Sequence, residues 1–572
     1  MNRNLIRTVV LGAAVALVGG CSDTLVVQNP NQGDTDRVLA TPADAENLLG
    51  SYYKRWSSGV YGSITDLEGM ANIFAVMNYS SLANNCMNSH APFSGATNFN
   101  TPGNTCQSEQ FRLYTIGSEV NRVAATFISK LDDASLNLGS PAQNNRARAF
   151  AEFLNGLSLG YIALMYDSSA IVTAATGPED AGPLYGYRTV MDSALAAMQR
   201  SIDAATAGGA GSGGFPLPST WIPSPTTFTA TEFVKLVRSY RARLRANVAR
   251  TPTERAAIDW TAVIADVDGG ITADHQITTS TTVGPTNAWR SQYGTFRSWH
   301  QMPPFYIGMG DGANNYAAWI ATPRDARGAN NTGFFMDSPD LRFPQGATRT
   351  LQQADFALTQ CSTASTPCKR YFVNRPAGLD EYSGQGWGWS NYDHARFYSW
   401  RTAGDGTQQN GNTPFMVLSE MRLLKAEGLY RAGQYAAAGA LVNVSRTAGM
   451  VGGVATGGGL PAITVFDATT PVPGGAACVP KVPVAPYTVV ACGNLWEALK
   501  YEKRIETAYT HYVPWFLDGR GWGDFALDTP LFWAVPFQDL QARGRSIAQI
   551  YGAGPGSGNA PNSASGPSVY GW

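Results

Sequence analysis

Residues 415–449 constrain the fold of this chain more than any other segment. In the first half, Val417, Met421 and Leu424 recur at helical spacing and define one apolar face. Gly433 then supplies the left-handed residue that commonly ends a helix, and a second helical pattern follows directly. Because two helices joined by so short a turn must pack antiparallel, the segment predicts a helical hairpin.

Small residues shape the predicted contact between these two helices. We expect Gly428 and Ala438 to let the helix axes approach closely. Periodicity alone favours an ordinary helical hairpin of an all-α protein, but the order AEGLYRAGQYAAA resembles the small-residue pattern of a tetratricopeptide repeat.

Longer motifs give a more specific resemblance. The segments EMRLLKAEGLYRAG at 420–433 and LVNVSRTAG at 441–449 resemble the C-terminal signature of the RagB/SusD family of outer-membrane nutrient-binding lipoproteins. GRGWGDF at 519–525 and LFWAVPFQDL at 531–540 resemble that family's closing motifs. The chain departs from the family pattern by interposing TAYTHYVP at 507–514. The resemblance implies a mostly α, SusD-like fold, in which tetratricopeptide-like helical hairpins pack against a large irregular, loop-rich part.

The resemblance and the distribution of helical patterns predict the organisation of the chain. We expect a lipoprotein signal peptide at 1–20 and a tether at 21–34. A helical N-terminal SusD-like part would follow at 35–272, and a C-terminal RagB/SusD part at 273–572 would hold an aromatic loop insertion and the last helical repeat.

Helix signals are clear outside the insertion. Thr41 is a plausible N-cap before Pro42. Arg241, Arg243 and Arg245 are expected on the exposed flank of their helix. Further helices are predicted at 147–166, 185–207, 231–250, 258–268 and 495–512.

The N-terminus predicts export and lipidation. Arg3 and Arg7 precede an apolar run at 9–18 that is too short to span a bilayer. The run ends in Leu-Val-Gly-Gly before Cys21, which resembles a lipobox, so Cys21 is the expected site of lipidation. Several acyl chains on one residue anchor a protein far more firmly than a single chain does. The alternative is a plain secretory signal with an incidental cysteine.

The other six cysteines support an oxidising compartment. They fall into three sequence-local pairs with loop-like residues between the members of each pair. An even number in an exported chain indicates disulfides, and local pairing is the simplest connectivity. A metal site is the rival interpretation, but no pair has CxxC spacing. The expected disulfides are Cys86–Cys106, Cys361–Cys368 and Cys478–Cys492.

Charge and composition restrict the class of partner. Charged residues make up only 15% of the chain, and the formal net charge is −1. This balance gives no reason to expect a nucleic acid or an anionic surface as partner. The 14 Trp, 25 Tyr and 24 Phe residues instead suit a protein that meets neutral polar ligands.

Two aromatic clusters, near 287–319 and 387–400, interrupt the helical pattern. Proline and glycine break any helical stripe there, so these aromatics cannot all lie on the core face of a helix. An aromatic ring stacks on a sugar or prolyl face, while nearby Asn and Asp satisfy hydroxyls or amides. For any single residue, burial in a satellite core is slightly favoured; for at least one cluster, a ligand groove is favoured. The candidate ligand-binding residues are Trp289, Tyr293, Trp299, Tyr306, Tyr316, Trp319, Trp387 and Trp389.

Enzyme motifs are missing from the sequence. None of the five histidines lies in HExxH or in a recognisable triad order, and no P-loop or dinucleotide-binding motif is present. Glu502 and Glu506 lie one helical turn apart, and we expect them to form salt bridges with Lys503, Arg504 or Arg520. A glycoside hydrolase with paired carboxylates is the enzyme alternative, and an inert helical scaffold is the second.

The resemblance implies a function that the residues alone do not define. It implies a non-enzymatic lipoprotein of the cell outer membrane, facing outside, that binds an oligosaccharide or, as second choice, a peptide. Its expected partner is a TonB-dependent outer-membrane barrel, to which it delivers the ligand. No cofactor is expected, and the sequence leaves open whether a Ca²⁺ ion supports the loops, since no motif points to one.

Overall fold

Helices dominate the part of the chain that the structure describes. The computed structural model describes residues 41–62, 67–78, 100–103, 107–177, 180–280, 282–286, 302–323, 326–327, 333–361, 366–376, 389–399, 410–546 and 568–572. Its α-helices are α1 Pro42–Val60, α2 Leu67–Phe74, α3 Gln107–Asp132, α4 Pro141–Met165, α5 Tyr187–Gly209, α6 Ala230–Asn247, α7 Pro252–Ala256, α8 Trp260–Asp268, α9 Pro304–Ile307, α10 Asn315–Ala321, α11 Arg349–Asp355, α12 Leu418–Arg431, α13 Tyr435–Thr447, α14 Leu495–Thr507, α15 Pro514–Trp522 and α16 Phe537–Ala542. Short 3-10 helices span Gly308–Gly310, Leu358–Cys361 and Gly475–Ala477.

The strands of the described part are short and pair two by two. Each pair is antiparallel: β1 with β2, β3 with β6, β4 with β5, β7 with β8, and β9 with β10. They span β1 Ser168–Ala170, β2 Leu184–Gly186, β3 His275–Thr279, β4 Phe372–Asn374, β5 Tyr392–His394, β6 Gly411–Met416, β7 Met450–Val451, β8 Val454–Ala455, β9 Lys481–Val484 and β10 Val489–Cys492.

The longer helices pack on one another in a continuous order. α4 packs against α3 and α5, α5 packs against α6, and α6 packs against α8. α8 in turn contacts α12, which packs against α13 and α14. The predicted mostly α fold, with helical hairpins beside a loop-rich part, is therefore confirmed.

The α12–α13 hairpin forms as predicted, with one difference. Gly433 has a φ of +72° and ends α12 in the left-handed conformation. Ala438 is fully buried. Gly428, however, faces α8: a Cβ atom there would lie 3.1 Å from Ile264 and Trp260. The small residue at 428 therefore permits the close approach of α8 to α12.

The chain divides into two compact units, Met1–Leu48 and Leu49–Trp572. In the first unit the structure describes only residues 41–48, where Thr41 caps α1 as predicted by accepting the Asp44 N–H at 3.2 Å. The predicted signal peptide, the tether and Cys21 lie outside the described residues. Within the described ranges, no helix combines the length and apolar character that crossing a bilayer requires. The proposed boundaries at 20, 34 and 272 stay predictions.

The arginines of α6 are buried, which corrects the expectation that they lie on an exposed flank. Arg241 pairs with Asp266 of α8, and Arg243 pairs with Glu420 of α12 at 2.7 Å. Only Arg245 keeps appreciable exposure, 27% of its side chain. An isolated buried charge is very costly, and pairing with a carboxylate offsets that cost. These arginines therefore fix how α6 meets α8 and α12.

Glu502 and Glu506 are buried and ion-paired, but with other partners than predicted. Both carboxylates bind Arg342, at 2.8 Å from Glu502 and 3.0 Å from Glu506. Two of the predicted partners pair elsewhere, Lys503 with Asp518 and Arg504 with Asp524. The third, Arg520, donates to the main-chain carbonyls of Asn247 and Leu531.

Two of the three expected disulfides lie within the described residues, and both are present. Cys361 and Cys368 have Cα atoms 4.9 Å apart, and Cys478 and Cys492 have Cα atoms 5.8 Å apart. The second bridge closes the β9–β10 hairpin, because Cys492 pairs with Lys481 at the end of that ladder. Cys86 and Cys106 lie outside the described residues.

Candidate functional site

The two aromatic sequence clusters are anchored at one place in the fold. Met302, which follows the segment 287–301, donates its N–H to the carbonyl of Tyr392 at 3.1 Å. Ser390 hydrogen-bonds the carbonyl of Met302 through its hydroxyl. Trp389, which follows the segment 377–388, accepts the Phe334 N–H at 2.6 Å. Met302 and Trp389, the first described residues after the two segments, therefore lie close together beside β5.

The place beside β5 where Met302, Phe334 and Ser390 meet is called the junction below. The buried side chain of Tyr392 holds it in place. The Tyr392 hydroxyl donates to the Met336 carbonyl at 2.9 Å and lies 2.8 Å from the Gln352 side chain. Gln352 also bonds Asn374 of β4 at 2.9 Å. Burial of Tyr392 raises the pKa of its phenol, so it stays a neutral donor. Buried hydrogen bonds therefore hold the anchors in place.

The four candidate aromatics that the structure describes point into the interior. Trp389 is 2% exposed, Tyr306 3%, Tyr316 0% and Trp319 9%. The Tyr306 hydroxyl donates to the Asp524 carbonyl at 2.9 Å, and its ring lies below the Arg504 guanidinium at 3.9 Å. These side chains offer no free ring face to a ligand.

A local aromatic core explains why these residues are buried. The Tyr316 and Trp319 rings stack at 5.8 Å, and the Tyr316 hydroxyl donates to the Phe305 carbonyl at 2.5 Å. Trp572, at the end of the chain, packs edge-on against Phe305 at 5.1 Å and against Tyr306 at 5.8 Å. For these residues, the satellite-core interpretation weighed above describes the observed positions.

The other candidate aromatics, Trp289, Tyr293, Trp299 and Trp387, lie outside the described residues. Their part in ligand binding stays a prediction. Trp299 precedes Met302 by three residues and Trp387 precedes Trp389 by two.

Several residues that shape the junction carry no sequence signal. Met302, Phe334 and Ser390 look like ordinary core or loop residues, and their contacts join segments far apart in the chain. The contacts of Trp572 with Phe305 and Tyr306 span more than 260 positions, which no local pattern could indicate.

A second concave feature lies among the helices. A cleft of about 160 Å³ opens between α5, α6 and the turn before α8. Four apolar residues and four charged ones line it, and none is aromatic. The lining residues are Arg188, Met191, Asp192, Leu195, Arg245, Val248, Ile258 and Asp259. Among the described residues, no cluster of three or more His, Cys, Asp or Glu side chains is arranged to hold a metal ion.

Comparisons with known proteins identify the fold. No protein-family model and no curated protein matches the sequence. Among solved structures, a SusD superfamily protein from Parabacteroides distasonis is similar, with a TM-score of 0.51, 10% identity, and coverage of 88% of this chain and 97% of that one. A SusD homolog from Bacteroides thetaiotaomicron (TM-score 0.47, 13% identity, 91% of both chains) and a SusD-like carbohydrate binding protein from Bacteroides vulgatus (TM-score 0.42, 13% identity, 82% of this chain and 81% of that one) are also similar.

The match to the Parabacteroides protein extends over nearly all of that chain, so it includes both the helical repeats and the loop-rich part. It agrees with the sequence motifs at 420–449, 519–525 and 531–540. This chain therefore has the SusD-like fold that its resemblance to the RagB/SusD family predicted.

Proposed function

We propose that this protein is a surface-exposed lipoprotein of the outer membrane that binds an oligosaccharide and delivers it to a TonB-dependent barrel. A peptide is the second candidate ligand, because a prolyl ring offers a similar flat apolar face. The mechanism is capture and delivery, with no covalent step.

The junction beside β5 is the observation that supports binding. Met302 and Trp389 are neighbours there through hydrogen bonds with Tyr392, Ser390 and Phe334. The described residues that directly follow the two segments are thus neighbours, although they are about 90 positions apart in sequence. A ligand held by both clusters would meet several ring faces, which suits an oligomer better than a small monomer.

The burial of four candidate aromatic residues reduces the set that we propose to contact the ligand. Tyr306, Tyr316, Trp319 and Trp389 serve the core that supports the loops. We assign ligand stacking to Trp289, Tyr293, Trp299 and Trp387.

The membrane location rests on the N-terminal sequence. The short apolar run ending at Cys21 supports lipidation, and the two disulfides support an oxidising compartment. A Cys21→Ser variant should leave the membrane fraction and become soluble. Unchanged fractionation would remove the basis for the outer-membrane assignment.

Titration of the full chain with neutral and acidic glycans tests the binding function. Trp299→Ala or Trp387→Ala should weaken binding by roughly 1–3 kcal/mol, the scale for truncating an interface anchor, and should leave the melting temperature nearly unchanged. Tyr316→Ala is the matched core control and should lower the melting temperature. If no glycan and no peptide binds, the binding function is wrong.

The glycoside hydrolase alternative is disfavoured by the environment of the carboxylates. Glu502 and Glu506 are both bound to Arg342 and buried. Neither lies in an open cleft where it could meet a glycosidic bond. Release of reducing ends from any bound glycan would favour the enzyme after all.

A further inference from the structure

The cleft between α5, α6 and the turn before α8 has an apolar floor. Met191 of α5 and Val248, which directly follows α6, are both buried. Leu195 follows Met191 by one helical turn and therefore lies on the same face of α5. Leu195 and Ile258 also line the cleft and are half-buried. An aliphatic group that enters the cleft would therefore be removed from water, which is favourable.

One cation in the lining has unused hydrogen-bond donors. The Arg245 Nε–H donates to Asp266 at 3.0 Å. Asp266 also accepts from Arg241 at 2.8 and 3.0 Å, so one carboxylate serves two guanidinium groups. The terminal amino groups of Arg245 donate to no other residue in the described ranges, and 27% of its side chain is exposed. Arg245 therefore presents free N–H donors and a positive charge that Asp266 balances only in part.

Two carboxylates in the lining are also available. Asp192 is exposed, and within the described part of the chain its side chain forms neither a hydrogen bond nor an ion pair. Asp259 is exposed and accepts the Ala262 N–H at 3.0 Å through one oxygen, as the N-cap of α8. Arg188, the remaining charged residue of the lining, is paired with Glu254 at 3.1 Å. The cleft thus combines acceptors and donors of opposite charge with an apolar floor.

The volume of the cleft limits the size of its ligand. It is about 160 Å³, whereas pockets for drug-sized ligands run to roughly 300–1,000 Å³. A small ligand that matches this lining carries an anion, a cation and an aliphatic group close to one another. An α-amino acid has this arrangement, because one carbon atom carries its ammonium group, its carboxylate and its side chain. No aromatic side chain lines the cleft, so it lacks a ring face on which a sugar could stack.

We propose that this cleft binds a free α-amino acid with an aliphatic side chain, such as leucine. The Arg245 guanidinium donates to the carboxylate, in the planar geometry that suits such a group. Asp192 and Asp259 accept from the ammonium group, and the aliphatic side chain packs on Met191 and Val248. The site shares no residue with the junction beside β5 and adds a second ligand class to the glycan-binding function.

Calorimetric titration of the full chain with leucine and two analogues tests the charged contacts. L-leucine carries both charges, L-leucinamide lacks the carboxylate, and N-acetyl-L-leucine lacks the ammonium group. We expect leucine to bind and each analogue to bind roughly tenfold more weakly, the loss expected for one hydrogen bond to a charged group. Glycine keeps both charges but has no side chain, so it should also bind more weakly than leucine.

A first variant assigns the carboxylate contact. Arg245→Gln removes the guanidinium, and Asp266 keeps Arg241 as its partner, so the fold should be retained. We expect this variant to lose the preference of the wild type for leucine over leucinamide. Its preference for leucine over N-acetyl-leucine should remain, which loss of folding would not allow. A thermal melt of the variant checks the fold independently.

A double variant assigns the ammonium contact. Asp192→Asn combined with Asp259→Asn removes both charges and keeps the N-cap of α8, because Asn caps a helix as well as Asp does. We expect it to bind leucine and N-acetyl-leucine alike. Asp203→Asn is the matched control, since Asp203 is exposed on the same helix, bonds Gln199 and lies outside the lining. It should bind leucine as the wild type does.

Several results would overturn the site. The wild type would show no binding of leucine at millimolar concentration, or the preferences among the probes would survive in both variants. Equal binding of leucine and N-acetyl-leucine by the wild type would indicate a site for a peptide C-terminus, and equal binding of leucine and leucinamide a site for an amine. Either result would overturn the assignment to a free amino acid. Since none of these probes is a glycan, failure of this site is distinguishable from failure of the glycan-binding function.

Discussion

The helical repeats and the loop-rich part both contain buried ion pairs, but they differ in what else holds their segments together. Between the repeats, buried arginines reach across helices to carboxylates, as Arg243 does to Glu420 and Arg255 to Glu427. The loop-rich part around 302–399 also has buried ion pairs, as Arg342 with Asp340, but there buried rings and main-chain hydrogen bonds, as at Trp319 and Tyr392, accompany them. Regular helices present side chains at fixed spacing, so ion pairs can be set between them. Irregular backbone has to satisfy its own polar groups first.

The Arg255 cluster shows how the first kind of interaction joins distant elements. Arg255 of α7 binds Glu427 of α12 at 2.7 Å and Asp518 of α15 at 2.9 Å. Burial alone would raise the pKa of Glu427, but Arg255 and the neighbouring Arg431 and Lys503 outweigh it, and the pKa lies below its usual value. Three helices thus depend on one guanidinium group.

The largest effect should follow from breaking one of these pairs. Arg243→Met leaves the Glu420 carboxylate buried without its partner, so we expect a loss of about 3–5 kcal/mol in the free energy of unfolding. Arg55→Gln is the matched control, because its pair with Glu119 is on the surface, with side chains 45% and 38% exposed, and should matter by less than about 1 kcal/mol. Chemical denaturation of both variants gives the comparison. Equal losses would show that burial does not set the value of these pairs.

A slightly smaller loss is expected from the aromatic core of the loop-rich part. Trp319→Ala removes a ring that stacks on Tyr316 and carries Arg327 at 4.1 Å over its face. We expect about 3 kcal/mol, at the low end for a buried tryptophan because the ring is 9% exposed. The measurement is a melt combined with a glycan titration. A binding defect at unchanged stability would instead return Trp319 to the ligand site.

The helical part could be predicted from sequence because its signals are local. The stop at Gly433 and the cap at Thr41 depend on neighbouring residues, and both are present. The predicted exposure of Arg241 and Arg243 was wrong. From sequence alone an arginine on a helix is expected to face solvent, because its buried carboxylate partner comes from a distant part of the chain.

The candidate site was harder to predict for the same reason. The aromatic clusters could be recognised, yet Tyr306 and Trp319 are buried by contacts with chain segments distant in sequence, such as Trp572.

The smallest predicted effect concerns the border between the two regions, where β3 pairs with β6 just before α12. His275 of β3 is buried among the rings of Phe228, Tyr240 and Phe415, and its Nε2 atom has no hydrogen-bond partner in the described part. Burial, together with the nearby positive charge of Arg243, lowers its pKa from 6.5 to about 3. The folded protein therefore keeps this imidazole neutral under conditions in which the unfolded chain protonates it.

Between pH 6.5 and about 3, the unfolded state thus binds more protons at His275 than the folded state does. The free energy of unfolding should fall with decreasing pH in this window, by about 1.4 kcal/mol per pH unit from this one group. His275→Phe keeps a ring among the aromatic neighbours but cannot titrate. Denaturation curves from pH 7 to pH 5.5 should therefore be steeper in pH for the wild type than for the variant, while other acid-sensitive groups contribute equally to both and cancel in the difference. Parallel pH profiles would mean that water or a rearranged neighbour solvates the imidazolium, and that this border is looser than the helices beside it.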